Sequence, residues 1–183
     1  YLESKYVSHT SQDRGLFNSL YRFFQFINLQ LKLRGIRREG FRTGKMLDIG
    51  CGNGSALDFF IKKGWSGVGV EPASLARDYA LSRGLIVYPE SYLNEALNRD
   101  FDLITMWHVL EHVYDIPERM TQIKKLLKPD GLLVLALPNR NSFDAKYYGT
   151  YWAAYDVPRH LYHFSKKDIE ALADVFEFDL VRV

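Results

Sequence analysis

A single cysteine, Cys51, stands among 183 residues, so neither a disulfide framework nor a cysteine-based zinc site can be built. Long apolar runs are missing too. No stretch reaches the ~18 residues needed to cross a bilayer, and no signal-peptide pattern opens the chain. A cytoplasmic protein is the expectation. Charge imbalance is absent: 24 Lys and Arg against 22 Asp and Glu leave a net +2, which singles out no partner class. Repeats and low-complexity tracts are absent as well. The chain starts at Tyr1 rather than methionine, as expected of a piece of a longer protein, so an upstream targeting segment stays open. What is present is an ordinary apolar fraction of 47% and a length that suits one α/β domain with a real core.

Residues 16–34 carry Leu16, Leu20, Phe23, Phe24, Ile27 and Leu31 at helical spacing. The basic stretch KLRGIRREGFRTGK follows, six Lys/Arg against one Glu, with Gly40 and Gly44 marking a connector. From there strand and helix patterns alternate. Strands are expected at Lys45–Ile49, Gly67–Val70, Leu85–Tyr88, Phe101–Met106 and Leu132–Pro138, with a last one in FEFDLVRV. Helices are expected at Ser55–Lys63, at Pro72–Arg83 with Pro in the first turn, and from Asp115 to about Leu127. Another is expected from Ser165 to about Val175. Asp115 with Glu118, and Ser165 with Asp168, are capping-box patterns. Strands apolar throughout and alternating with helices predict a Rossmann-like, mostly parallel sheet covered on both faces. In such sheets ligands bind just past the strands' carboxyl ends.

The stretch MLDIGCGNGSAL runs from strand to loop to helix. Gly50, Gly52 and Gly54 allow positive φ and bring a ligand against bare backbone, and a helix N-terminus adds N–H groups. A dinucleotide loop reads G-x-G-x-x-G; here the sixth position is Ser55, and the third glycine comes one residue early. Asp48, two residues before the first glycine, is a poor neighbour for a pyrophosphate and a natural partner for an ammonium group. Glu71 closes the second strand 21 residues after Gly50, and its carboxylate can accept from both ribose hydroxyls. Pro72 biases it toward an extended backbone. Glu71 alone does not separate this ligand from NAD, and a plain tight turn is the structural alternative.

LDIGCGNG, the Glu71 ending, FDLITMWHVLEHV and LKPDGLLVLALPN resemble the ordered motifs of class I S-adenosylmethionine-dependent methyltransferases. The resemblance runs from about Lys45 to the end and is nearest to the small-molecule group that includes the ubiquinone-biosynthesis type. DVPRHLYHFS also resembles a stretch seen in part of that group. The resemblance implies that Asp48 and the loop Gly50, Cys51, Gly52, Asn53 and Gly54 hold the methionine part of the cofactor. Glu71, followed by Pro72, holds the ribose. Glu90, Ser91 and Tyr92 flank the adenine, without the usual Asp. Trp107 and His108 face the methyl group. The helical spacing near the start predicts an N-terminal helical cap over 1–44. The resemblance further implies a methyltransferase domain over 45–183. That domain carries an aromatic insert at about 139–164 on the substrate side, and the family's last antiparallel strand is missing from the chain.

Methyl transfer from a sulfonium is an in-line displacement with a neutral leaving group, so alignment matters more than acid catalysis. A base is needed only for a protonated acceptor. His108, Glu111, His112, His160 and His163 are the candidates, with His108 and His160 singled out as catalytic. His108 and His112 are four apart beside Glu111, a pattern seen in metal-dependent quinone enzymes. Structural contacts are the expected role of Glu111 and His112, and no metal is expected. Phe143, Tyr147, Tyr148, Tyr151, Trp152, Tyr155, Tyr162 and Phe164 crowd the insert; they suit a planar or lipid-like acceptor, or simply pack the insert. Arg159 suits an acidic substrate group or a pair with Asp156. Cys51 reads as a small buried residue. As the only cysteine, lying within the loop, it offers no attacking thiol for cytosine methylation. No Asn-Pro-Pro-Tyr-type motif follows the fourth strand, so nucleic acid is not the expected substrate. The N-terminal helix reads as a packed cap, as a lid, or as a segment resting on a membrane surface. Three functions stay open: a small-molecule methyltransferase at oxygen or carbon, a cofactor-binding module without catalysis, and an NAD-binding oxidoreductase. A monomer or homodimer is expected.

Overall fold

The computed structural model describes residues 16–95 and 100–183. They divide into two units at Tyr92/Leu93, the second running to Val183. The five strands belong to one sheet, and within each unit the pairings are parallel.

The first unit opens with α1 (Leu16–Arg38). β1 (Gly44–Ile49) pairs in register with β2 (Trp65–Val70), Asp48 opposite Gly69, and β2 pairs with the short β3 (Val87–Tyr88). α2 (Ser55–Ile61) packs Leu57 and Phe60 on the sheet with Met46, Leu47 and Trp65. Gly67 and Gly69 of β2 are close-approach glycines: a Cβ at Gly69 would stand 2.5 Å from Cys51 Sγ, and one at Gly67 would stand 2.8 Å from Leu57 and from Met46. The strand's faces are bare so that loop and helix can lie on it. α3 (Ser74–Ser82) begins two residues later than its proline suggested. The Ala73 N–H is taken by the Glu71 side chain at 2.9 Å, which leaves Pro72 outside the helix.

The second unit opens on α4 (Tyr92–Glu95), a short turn that begins at the division itself. β4 (Phe101–Trp107) is buried almost throughout, as an interior parallel strand should be. α5 (Ile116–Leu126) is capped by Asp115, which accepts from Glu118 N at 2.8 Å. β5 (Leu127–Ala136) starts earlier than expected. Its first residue pairs with Phe101, the ladder breaks, and it resumes with Leu103 opposite Leu132. The KPDG segment is thus an excursion within a strand, where Pro129 can donate nothing to a ladder. α6 (Phe143–Tyr148) lies in the expected insert, whose ends are tied by a bridge between Asn139 and Phe164. α7 (Lys166–Val175) has the capping box of Ser165 and Asp168.

The strand expected in FEFDLVRV is not formed. α7 instead closes in a Schellman turn: Glu177 adopts φ 54°, Phe178 N donates to Ala173 O at 2.9 Å, and Glu177 N donates to Asp174 O at 3.2 Å. The last residues then run with Leu180, Val181 and Val183 exposed. Alternation is necessary for a half-buried strand but does not suffice.

Candidate functional site

In the first unit, Asp48 is 1% exposed, on a strand flanked by apolar residues. The chain leaves β1 with Gly50 and Cys51 both donating to Val70 O, at 2.7 and 3.1 Å. Gly50, Gly52 and Gly54 all have positive φ, 70°, 55° and 75°. Gly54 then caps α2, and Asn53 folds its side chain onto Ser55 N and Oγ. Glu71, buried at the end of β2, accepts from Gly52 N through Oε2 at 2.8 Å and from Ala73 N through Oε1 at 2.9 Å. Its own carbonyl accepts from Arg77 Nη1 at 2.8 Å. The second acid is therefore not merely near the glycine loop; it sets the loop's middle amide. No spacing rule announces that bond, nor the Arg77 clamp.

Two carboxylates are thus buried around one thiol. Burial first, and then the charges of Asp48 and Glu71, push the Cys51 thiol far above its usual range. Cys51 is inert at neutral pH, in line with its reading as a small core residue. Burial lowers the Lys32 ammonium, with the Asp48 charge opposing it. Beyond β3, Tyr88 and Tyr92 stack face to face, centroids 4.3 Å apart and planes 5° apart, beside the exposed Ser91. The cradle fits an adenosyl amino acid. A Cβ at Gly52 would meet nothing within 4 Å, so the loop's flank is open where its glycine is needed. Asp48 and Glu71 supply the negative charge that an ammonium and a ribose diol require, and Tyr88 and Tyr92 supply flat surface.

In the second unit, β4 ends at the half-buried Trp107. His108 follows at φ 57°, its N–H held by Ala136 O at 2.9 Å, with its ring exposed. The 3₁₀ turn Leu110–His112 comes next, so His108 and His112 are not stacked on an α-helical face. Glu111 is 1% exposed, and His108 Nδ1 stands 3.5 Å from its Oε1. The insert is fastened to this turn: Leu161 N and Tyr162 N both donate to Glu111 O, at 2.8 and 3.4 Å. That fastening sets His160 against His112, ring centroids 4.6 Å apart. Arg159 pairs with Asp156 at 2.6 Å rather than standing alone. His163 gives Nε2 to Tyr155 O at 2.9 Å. Phe143, Tyr147, Tyr148 and Tyr151 are exposed, Tyr151 by 90%.

The methyltransferase-domain family profile matches residues 21–183. A ubiquinone biosynthesis O-methyltransferase of Haemophilus ducreyi is 31% identical over 128 residues, covering 63% of this chain and 52% of that protein. One of Cereibacter sphaeroides is 33% identical, covering 69% and 55%. The chain thus spans about half the length of these relatives. A SAM-dependent methyltransferase of Thermotoga maritima superposes with TM-score 0.66 at 22% identity, covering 90% of this chain and 78% of its own. Another, of Archaeoglobus fulgidus, gives 0.65 at 20%, covering 86% and 74%. These likenesses fix the α/β Rossmann-like fold, and the family match means that this chain belongs to the methyltransferase-domain family.

Proposed function

We propose that the chain is the S-adenosylmethionine-binding part of an enzyme that methylates a small-molecule acceptor at oxygen or carbon. The observation that carries this reading is the buried Asp48 and Glu71 on either side of a loop with three positive-φ glycines. The names of the relatives favour oxygen. The bound cofactor supplies an electrophilic methyl group. Asp48 and the Gly50–Gly54 loop, with Cys51 and Asn53, hold its amino-acid end; Glu71 and Pro72 orient the ribose; Ser91 flanks the adenine. The resemblance to the family assigns Trp107 and His108 to the methyl side. His108 has Nδ1 toward Glu111, which leaves Nε2 for an acceptor proton. His160 donates Nδ1–H to Ala154 O at 2.7 Å, so its Nε2 lone pair is also open. Either transfer is worth roughly 10²–10⁴ in rate. The exposed rings of the insert favour an aromatic or lipid-like acceptor. The same reading assigns the N-terminal segment to a cap whose exposed apolar face rests on a membrane surface, in a cytoplasmic protein. No helix among the described residues is long and apolar enough to cross a membrane.

The test is thermal unfolding with S-adenosylmethionine, its demethylated product, or NADH, each in large excess. At 100 times its dissociation constant a ligand stabilises by ~2.7 kcal/mol, several degrees for a domain of this size. The two adenosyl ligands are expected to raise the midpoint and NADH to leave it unmoved, with Asp48→Ala abolishing the rise. Stabilisation by NADH alone overturns the reading. Cofactor binding without release of demethylated product across a panel of phenolic acceptors favours a non-catalytic module.

A further inference from the structure

We propose that Arg83 is a positioning residue for the cofactor, acting through the glycine loop: its guanidinium fixes the Asn53 carbonyl and holds the loop in its binding shape before a ligand arrives. That role rests on the reading of the loop as the cofactor's seat. Arg83 Nη1 donates to Asn53 O at 3.0 Å, across 30 residues of sequence. Arg83 Nη2 donates to Asp58 Oδ2 at 2.7 Å, in the first turn of α2. One fork therefore ties the end of α3 both to the loop and to the helix that follows it. A lysine has no such divergent pair of donors.

The turn that carries Arg83 is itself fixed. Gly84 N donates to Leu81 O at 2.9 Å and Leu85 N to Ala80 O at 3.3 Å, with Gly84 at φ 79°. Leu85 and Ala80 of the same turn close on Gly54, where a Cβ would have no room. The guanidinium thus starts from a rigid base beside the loop. Asp58 aims it further, and shares its Oδ2 with Lys62 Nζ at 2.8 Å. The Arg83–Asp58 pair is partly exposed, so it contributes little to global stability. Its effect falls on the loop.

The loop needs such a brace. Gly50, Gly52 and Gly54 can leave their left-handed backbone easily, so their own chemistry does not hold it. Neighbouring groups do. The Cys51–Gly52 peptide is held by Glu71, which takes Gly52 N–H at 2.8 Å. The Asn53–Gly54 peptide is held by Arg83 on its oxygen and by Cys51 O on its N–H, at 2.9 Å. Between these two, the Asn53 N–H donates to none of the described residues and is left to a ligand. A loop ordered in advance loses less freedom on binding, so its affinity is higher.

The experiment joins titration calorimetry, with S-adenosylmethionine and its demethylated product, to amide hydrogen exchange followed by NMR on the ligand-free protein. Arg83→Ala is expected to weaken both ligands roughly 5- to 10-fold, the scale of one hydrogen bond. The Gly54 amide should exchange about 10-fold faster or more, while those of β1 keep their native rates and report an intact fold. Asp58→Ala should give a smaller loss, and adding it to Arg83→Ala should weaken binding no further. Lys62→Ala removes a cation from the same cluster but no bond to the loop, and should bind as the native chain does. The sign of the effect excludes plain electrostatics: S-adenosylmethionine carries a net positive charge, so loss of a nearby cation alone would tighten it. Unchanged affinity in Arg83→Ala, or β1 amides that quicken by the same factor as Gly54, overturns the proposal. A native chain that binds neither ligand overturns the cofactor reading and the positioning role with it, while Gly54 exchange still reports whether Arg83 holds the loop.

Discussion

Gly52 and Gly54 share a left-handed backbone but not the same surroundings. Around Gly52 a Cβ would meet open space, so Gly52→Ala pays only for the conformation, about 1 kcal/mol. At Gly54 a Cβ would fall 2.3 Å from Leu85 Cδ1 and 3.3 Å from Ala80 Cβ, both in buried residues. Overpacking there adds to the same strain, so Gly54→Ala should cost about 2 kcal/mol or more. Urea denaturation should therefore rank Gly54→Ala well below Gly52→Ala. Ligand-induced stabilisation should fall more for Gly52→Ala, whose methyl enters the open side of the loop. Equal stabilities would mean that Leu85 moves aside freely. From sequence the two glycines are indistinguishable. The neighbours that separate them come from α3 and the approach to β3, some thirty residues on.

At the scale of elements, the two N-terminal caps were legible because they are local and need only three-residue spacing: Asp115 accepts from Glu118 N, and Ser165 and Asp168 close a full capping box. The second has a pH signature. The hydroxyl and N–H of Ser165, and then Arg140, hold the Asp168 carboxyl below its ordinary range. A carboxyl depressed on folding contributes stability above its unfolded pKa, near ~3.9, and that contribution is lost as pH falls through the folded value. The gap between the native chain and Asp168→Asn should thus be constant from about pH 6 to pH 5 and close below about pH 4. A gap that widens with acid would contradict the assignment. Element ends were less legible. α3 starts late because a side chain nineteen residues from the loop it also serves captures Ala73 N–H. β5 starts early because one pair with Phe101 forms ahead of the KPDG excursion.

For the whole molecule, the open question is the apolar surface of α1. Leu33 and Ile36 are buried, but Leu20, Phe23, Phe24, Ile27 and Leu31 are exposed, Phe24 by 59%. Phe26 also meets Phe59 of α2 edge-on, ring centroids 6.0 Å apart. With Arg34, Arg37 and Arg38 exposed behind it, the face suits an anionic surface. The chain should sediment with phosphatidylserine vesicles, less so in high salt and least as the Phe23→Ser, Phe24→Ser double variant. Absence of sedimentation together with a dimer lost in that variant would make it a self-association face instead. What the sequence determined by itself was everything carried by local order: alternating strands and helices, the glycine loop with its flanking acids, the caps, and through them the family. What only the tertiary structure decided depends on contacts between distant residues. It tied Glu71 to Gly52, set a thiol near two buried carboxylates, turned the chain at Glu177 so that FEFDLVRV forms no strand, and laid His160 beside Glu111 and His112. Sequence spacing records which side chains can share an element. Burial and hydrogen bonds between residues nineteen to nearly fifty apart in sequence decide which atoms are left open to a ligand.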